Sequence, residues 1–221
     1  MAASSHYLGT PNRPCAMRHI TIALTVVLFV ALPRTTEAQT GDRDHRFELL
    51  GQFAGVRSNE FSGTDRGVGG LFAWHRLDPL DVEGEVNFYP KNLTANGGAP
   101  FSRGRVEGLI GITVGPILGH IRPFGTFRTG FVTFQSAPSP LVCPAINPPT
   151  LPCALAKGET VIAGVVAGGI EVFPTPHAVV RIELGDRLTN YPAAIDASGE
   201  AHSMAFWSNE FRFVAGAGVR F

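Results

Sequence analysis

Two cysteines are the first residues in this sequence whose type and spacing suggest chemistry. Cys143 and Cys153 lie in a proline-rich stretch and are separated by nine residues. Two thiols without a nearby histidine fall short of the ligand set of a structural zinc site. A disulfide is the better prediction for a chain that passes through an oxidising compartment. Closing so short a loop would stabilise it by roughly 3 kcal/mol on the chain-entropy model.

Histidines are the next candidates for chemistry, and five of them follow the N-terminal segment: His45, His75, His120, His177 and His202. They belong to separate hairpins, whereas metal ligands must converge to about 2 Å from one ion. We therefore predict no metal site and no cofactor. We expect most of these histidines to lie at an interface between water and an apolar phase.

Catalytic pairs are the third possibility. His202 and Ser203 are adjacent, so on a strand their side chains would point in opposite directions. A serine nucleophile needs its base within hydrogen-bond reach, and this pair does not provide it. Glu83 and Glu85 share one face, but arginines are predicted to face them. We interpret the two glutamates as structural ion pairs and predict no enzymatic activity.

The elements that position these residues are β-strands. Between Leu80 and Phe88 apolar residues occupy the even positions, apart from a glycine at 84, and polar residues occupy the odd ones. This period of two is typical of a strand with two unlike faces. The same alternation recurs eight times along the chain. The predicted strands are 46–57, 66–76, 80–89, 102–115, 121–135, 159–173, 178–190 and 206–221.

Connections between these strands alternate in length. Short turns are predicted at 77–79, 116–120 and 174–177, and longer loops at 58–65, 90–101, 136–158 and 191–205. Strict alternation places every long loop at one end of the sheet. Outer-membrane β-barrels have this form, with short periplasmic turns and long external loops.

The N-terminal segment predicts export. Arg13 and Arg18 precede an apolar run, Ile20–Leu32, which is short for a membrane-spanning helix of roughly 20 residues. A basic start, a short apolar stretch and a small residue at the cleavage point describe a secretory signal peptide. We predict that residues 1–38 are this peptide and that residues 39–221 form one β-barrel domain.

Composition limits the function classes. Charged residues make up 16% of the chain, against about 25% in ordinary soluble domains. Only two of the eighteen basic residues are lysines, and arginine suits buried pairing because its planar fork binds carboxylates with two hydrogen bonds. The net charge is zero, so nothing indicates nucleic acid as a partner.

The polar faces carry charges of both signs in nearly equal number. An unpaired buried charge costs several kcal/mol, so we predict that these residues form a salt-bridge network inside the barrel. The predicted network consists of Glu48, Asp81, Glu83, Glu85, Arg103, Arg105, Glu107, Arg122, Arg128, Glu171, Arg181, Glu183, Arg187, Glu210, Arg212 and Arg220. Many small residues on the same faces suit a narrow lumen. Aromatic residues near the strand ends are typical of interfacial girdles.

The last eleven residues, 211–221, resemble the closing strand of bacterial outer-membrane barrels, which typically ends in phenylalanine after alternating apolar residues. Residues 46–221 as a whole resemble the small eight-stranded group typified by the OmpA transmembrane domain and OmpX. The resemblance implies a closed, antiparallel, up-and-down transmembrane β-barrel in the outer membrane. It also implies that the barrel-assembly machinery recognises Phe211, Phe213, Val219 and Phe221.

The predicted function is that of a non-enzymatic outer-membrane protein, structural or surface-binding through its external loops. Its expected partners are membrane lipid, lipopolysaccharide, the assembly machinery and an external ligand at loop 136–158. A small gated pore, a lipid-modifying barrel enzyme and a soluble periplasmic β-barrel carrier remain as alternatives. The carrier would hide the apolar faces inside the barrel, whereas a membrane protein would expose them to lipid.

Overall fold

The alternating segments form β-strands in the computed structural model of the chain. The structure describes residues 46–221 except 62, 78 and 95–99, and it describes no side chain at 76 or 77. The predicted signal peptide, residues 1–38, lies outside the described residues. The described residues belong to one unit, Thr40–Phe221.

Eight long strands and three short elements make up the described chain. The long strands are β1 (Phe47–Ser58), β2 (Thr64–Leu77), β3 (Leu80–Tyr89), β6 (Arg105–Val114), β7 (Ile121–Phe134), β8 (Thr160–Thr175), β9 (Ala178–Tyr191) and β10 (Phe206–Arg220). The short elements are the hairpin strands β4 (Leu93–Thr94) and β5 (Pro100–Ser102) and the helix α1 (Leu151–Leu155). Among the described residues, no helix is long and apolar enough to cross a membrane.

The long strands close into an antiparallel barrel in the order β1-β10-β9-β8-β7-β6-β3-β2. Strands adjacent in the chain are adjacent in the barrel, and the first strand pairs with the last from Glu48↔Arg220 to Ser58↔Glu210. Every long strand therefore has two neighbours, and no backbone edge is left open for aggregation. The predicted eight-stranded up-and-down barrel is confirmed.

The start of the fourth long strand, β6, was predicted too early in the sequence. The sequence pattern favoured a strand over 102–115, but β6 begins at Arg105. Gly104 adopts φ 141°, a backbone conformation that interrupts the strand and that L side chains rarely adopt. The residues just before it form β5, which pairs with β4 in a small hairpin outside the barrel.

Burial alternates along each strand and separates two faces. Ile110 is 62% exposed on the outer face, whereas its neighbour Leu109 is 4% exposed on the inner face. The exposed outer face is largely apolar over all eight strands, and most charged residues of the strands lie inside, with Arg57, Arg66 and Asp186 as exposed exceptions. Its exposed members include Leu49, Phe53, Val68, Phe72, Val86, Phe88, Ile112, Phe127, Phe131, Ile162, Val166, Ile170, Ile182, Leu184, Leu188, Phe211 and Val219. A soluble carrier would have the opposite arrangement, so this alternative is wrong for the described barrel.

The two ends of the barrel differ in their connections. Short turns join β2 to β3, β6 to β7 and β8 to β9, and the long connections all lie at the other end. We call these the short-turn end and the long-loop end. Phe47 lies at the short-turn end, with its ring 5.8 Å from Phe72 and 6.0 Å from Phe221.

The lumen is narrow enough that glycine is required where large side chains cross it. A Cβ added to Gly111 would lie 2.0 Å from the carbonyl oxygen of Phe127 and 2.8 Å from Cγ of Arg128. Gly84 lies on the neighbouring strand, one residue from the partner of Gly111, but it faces outward. A Cβ at Gly84 would meet nothing within 4 Å.

These two glycines form a matched pair for testing the crowding of the lumen. We expect Gly111→Val to lower the free energy of unfolding by about 1–3 kcal/mol or more, because the added atoms overpack the interior. Gly84→Val should change it little. Urea unfolding followed by tryptophan fluorescence measures both. Equal effects of the two substitutions would contradict the assignment of inner and outer faces.

Candidate functional site

The barrel interior brings together almost all of the charged residues predicted to meet there. Fifteen of the sixteen are buried on the inner face. Arg103 is the exception: it precedes the break at Gly104 and is exposed in the loop, where it donates a 3.4 Å hydrogen bond to the carbonyl of Pro138. Its predicted place in the lumen is therefore wrong.

Three arginines cross the middle of the lumen, and each contacts carboxylates from several strands. Arg181 lies 2.6 Å from Glu83, 2.9 Å from Glu171 and 2.9 Å from Glu183.

Arg128 pairs with Glu83, Glu85 and Glu183, and its Nε lies 3.2 Å from the Glu83 carboxylate. Arg212 pairs with Glu85 and lies 2.7 Å from Glu183. The predicted pairing of Glu83 and Glu85 with arginines therefore matches these contacts.

The network continues to the short-turn end. Arg122 bridges Asp81 and Glu171. Arg220 lies 2.8 Å from Glu48, and its guanidinium lies 4.1 Å from the centre of the Phe173 ring.

His75 also belongs to this end of the lumen. Its ring nitrogens lie 2.9 Å from Glu48 and 2.7 Å from Asp81. The odd positions of β2 face inward, so His75 points toward the two carboxylates at the end of the lumen and not toward the outer face.

At the long-loop end, tyrosines and amides extend the network. Arg187 lies 2.6 Å from Glu107 and also pairs with Glu210. Tyr191 donates a 3.1 Å hydrogen bond to Glu210. Arg105 lies 2.9 Å from Asp65, and its guanidinium lies 4.9 Å from the centre of the Tyr89 ring.

Four interior polar residues were left out of the predicted network, although the alternation along β1 and β3 placed two of them, Gln52 and Asn87, on the polar faces. Asp65 and His75 form ion pairs, and Gln52 donates 2.6 Å and 2.8 Å hydrogen bonds to Glu85 and Asn87. Asp65 and His75 share the inward-facing odd positions of β2, a strand that carries no member of the predicted network. Asp65 was missed because its strand was predicted to begin at residue 66.

Nine buried carboxylates thus face seven buried arginines and His75 in the described barrel. The interior is filled by these side chains and by Phe124, whose ring centre lies 4.0 Å from the guanidinium carbon of Arg181. An eight-stranded barrel is just wide enough to be filled in this way. The arrangement is suited to holding the barrel rigid and argues against a wide permanent channel.

A second structured region closes the long-loop end. Leu151 and Leu155 of α1 are buried against Phe61, Phe134 and Tyr191. The remaining members of this cluster, which we call the loop cap, are Leu93, Phe101, Val132, Val161, Ala163 and Ala194. The cap joins residues from four long connections, so these connections are held against one another by apolar contact.

The predicted disulfide is present next to the loop cap. Cys143 and Cys153 are bonded, with their Cα atoms 5.8 Å apart. Cys153 lies in α1, whose buried leucines attach it to the cap. The first part of the disulfide loop, residues 143–147, is exposed, and Val142 just before it is 96% exposed.

The adjacent His202 and Ser203 do not form a nucleophile and its base. Nε2 of His202 lies 3.0 Å from Oδ2 of Asp196, and the His202 ring stacks on Phe206 at 4.1 Å. The imidazole is thus directed to a carboxylate within its own loop.

Comparison with known proteins gives similarity at the level of fold. No family model matches this chain, and no curated protein matches it. Among solved structures, the attachment invasion locus protein Ail of Yersinia pestis is 13% identical, with 80% of this chain and 99% of that chain covered and a TM-score of 0.48.

Neisserial surface protein A is 14% identical, with 79% and 97% covered and a TM-score of 0.47. The outer membrane protein OprG of Pseudomonas aeruginosa is 13% identical, with 80% and 96% covered and a TM-score of 0.46. At such low identity the similarity carries no information about a shared ligand.

The ion-pair network can be tested at its centre. Arg128→Met should lower the free energy of unfolding by about 3–5 kcal/mol, because three buried carboxylates lose a common partner. Arg103→Met removes an exposed arginine and should have little effect. Urea unfolding of the folded barrel in detergent measures both. A small effect of Arg128→Met would show that the interior charges are not held by this pairing.

Proposed function

We propose that this chain is a non-enzymatic protein of the outer membrane of a Gram-negative-type bacterium, anchored by its barrel and interacting through its external loops. The observation that carries this proposal is the apolar, exposed outer face of all eight strands around a charge-paired interior. Exposing such an apolar surface to water would be strongly unfavourable, whereas in a bilayer it contacts the acyl chains of the lipids. The short-turn end would then lie in the periplasm and the long-loop end outside the cell.

A filled interior supports an anchoring role over a pore. The connected ion pairs run from His75 at one end of the lumen to Glu210 at the other. An ion would have to separate several buried pairs in turn, and each broken pair leaves an uncompensated charge. We therefore expect no discrete conductance in planar bilayers.

The closing strand supports a role in membrane assembly. Phe211, Phe213, Val219 and Phe221 all lie on the outer side of β10 or directly after it. Their side chains are not buried in the lumen, so they would be available to the assembly machinery as the last strand pairs with β1. We propose that these four residues form the recognition signal.

Lipopolysaccharide is the proposed lipid partner at the external rim. Arg57 on β1 and Arg66 on β2 are exposed on the outer face near the long-loop end. Arg57 pairs in register with Thr64 and Arg66 with Gly55, so the two arginines are diagonal neighbours. Two adjacent cations repel each other, and phosphate groups of a lipid would relieve this repulsion while forming charge-assisted hydrogen bonds.

The loop cap is the proposed surface for an external ligand. The disulfide and the buried leucines of α1 hold one side of loop 136–158, and the other side exposes Val142 and Ile146. A rigid apolar surface loses little conformational entropy on binding, which favours affinity. The chemistry of the loop therefore suits contact with another macromolecule outside the cell.

Membrane insertion is tested on the outer face. Ile110→Arg should lower the stability of the barrel in lipid vesicles by about 2–4 kcal/mol, because a charge near the middle of the bilayer is costly. Val142→Arg, in the exposed loop, should leave folding and heat-dependent gel mobility unchanged. The membrane assignment is wrong if the Ile110→Arg variant is as stable in vesicles as the unsubstituted chain. It is also wrong if the unsubstituted chain is found in the detergent-free soluble fraction.

Lipid recognition is tested on the arginine pair. The double variant Arg57→Met and Arg66→Met should copurify with several-fold less lipopolysaccharide than the unsubstituted chain, measured as lipid phosphate per barrel. Arg103→Met is the matched control, since it removes an exposed arginine outside the strands. Equal amounts of bound lipopolysaccharide in all three proteins would reject this partner while leaving the membrane assignment intact.

A further inference from the structure

A tight hairpin within the last long connection carries three potential metal ligands. Asp196, Glu200 and His202 each offer one ligand atom, and these atoms all lie within 4.8 Å of one another. The backbone holds them together: the N–H of Asp196 donates to the carbonyl of Glu200 at 3.0 Å, and the N–H of His202 donates to Ala194 at 3.0 Å. Gly199 turns the chain between them with φ 87°.

The first ligand is fixed by the turn itself. Oδ1 of Asp196 accepts hydrogen bonds from the N–H of Ser198 at 2.9 Å, its hydroxyl at 2.7 Å and the N–H of Glu200 at 2.9 Å. These bonds occupy one carboxylate oxygen and direct the other, Oδ2, toward His202.

The second ligand is positioned by packing. The His202 ring stacks on Phe206 with an angle of 16° between the planes, and Nε2 lies 3.0 Å from Oδ2 of Asp196. Two ligand atoms of one tetrahedral zinc ion are separated by ~3.3 Å, given bonds of about 2.0–2.1 Å. The observed spacing thus requires a shift of only a few tenths of an ångström. The Glu200 carboxylate is exposed and free to rotate toward the same point.

Hydrogen bonds from two neighbouring loops also hold the hairpin in place. Ile195, next to Asp196, donates to the carbonyl of Pro149 at 2.8 Å and accepts from the N–H of Leu151 at 3.0 Å. Glu60 accepts from the N–H of Ala197 at 3.1 Å and from the hydroxyl of Ser208 at 2.8 Å. The three ligands therefore sit on a support tied to the disulfide loop and to the first long connection, which lowers the cost of ordering them.

We propose that Asp196, Glu200 and His202 form a zinc-binding site at the long-loop end of the barrel. One imidazole nitrogen with two carboxylates suits Zn²⁺, whereas calcium and magnesium prefer oxygen ligands alone. Zn²⁺ binds histidine through a ring nitrogen that carries no proton, so Nε2 of His202 would coordinate as part of a neutral imidazole with its N–H on Nδ1. Three protein ligands leave a fourth position for water or for a donor from a partner. The site does not depend on the membrane assignment.

Zinc binding is measured by titrating ZnCl₂ into the isolated, EDTA-treated full chain in detergent at pH 7, followed calorimetrically. We expect one saturable equivalent per chain. His202→Ala should weaken binding by at least ~100-fold, since loss of an outer-shell partner alone costs 10–100-fold. Glu200→Gln should weaken it by at least ~10-fold without altering the turn, because its carboxylate is exposed. Heat-dependent gel mobility reports whether each variant folds.

His120→Ala is the matched control, because His120 is an exposed histidine in a turn at the opposite end of the barrel. It should bind zinc as the unsubstituted chain does. Absence of saturable binding to the unsubstituted chain overturns the proposal. Unchanged affinity in Glu200→Gln and His202→Ala also overturns it, since zinc is then held by other surface groups. Neither result bears on insertion into lipid, which the Ile110→Arg variant tests separately.

Discussion

Neutralisation of charge inside a narrow barrel is the constraint on which the rest of this structure depends. Seven arginines and nine carboxylates are buried in a space with no room for bulk water around each charge. Pairing in low dielectric offsets their desolvation only when the geometry is good and when each charge meets several partners. Arg128 and Arg181 meet this condition by contacting acids from different strands, so the same contacts that neutralise charge also hold the strands together.

The outer surface and the loop cap follow from that interior. Because most charged side chains of the strands face inward, the other parity of each strand is left mainly to apolar residues, which suits a lipid environment. Apolar groups cover part of the network at each end: the Phe173 ring lies against the guanidinium of Arg220 at the short-turn end, and the loop cap, which includes Tyr191, lies at the long-loop end. The cap in turn gives the long connections a fixed shape, which is what allows a loop such as 191–205 to hold ligands in place.

Much of this arrangement could be predicted from residue order. Period-two alternation predicted the strands, and the alternation of short and long connections predicted that all long loops lie at one end of the barrel. Parity then assigned Glu107, Arg122 and Glu183 to the interior. Parity failed for Arg103, because a single glycine with positive φ interrupts the strand beside it. The cluster of Asp196, Glu200 and His202 could not be predicted from the spread of histidines over separate hairpins, because all three of its residues come from one loop.

The sequence by itself determined the inner and outer faces, the number of strands and the cysteines that pair, since each depends on local periodicity or on spacing along the chain. Only the tertiary structure decided which arginine contacts which acid, that His75 lies between Glu48 and Asp81, and that the hairpin at 194–202 rests on the disulfide loop. Those facts depend on strand register and on the closure of β1 against β10. Neither is encoded in any short segment, because a shift in register moves every cross-strand partner while leaving the alternation along each strand unchanged.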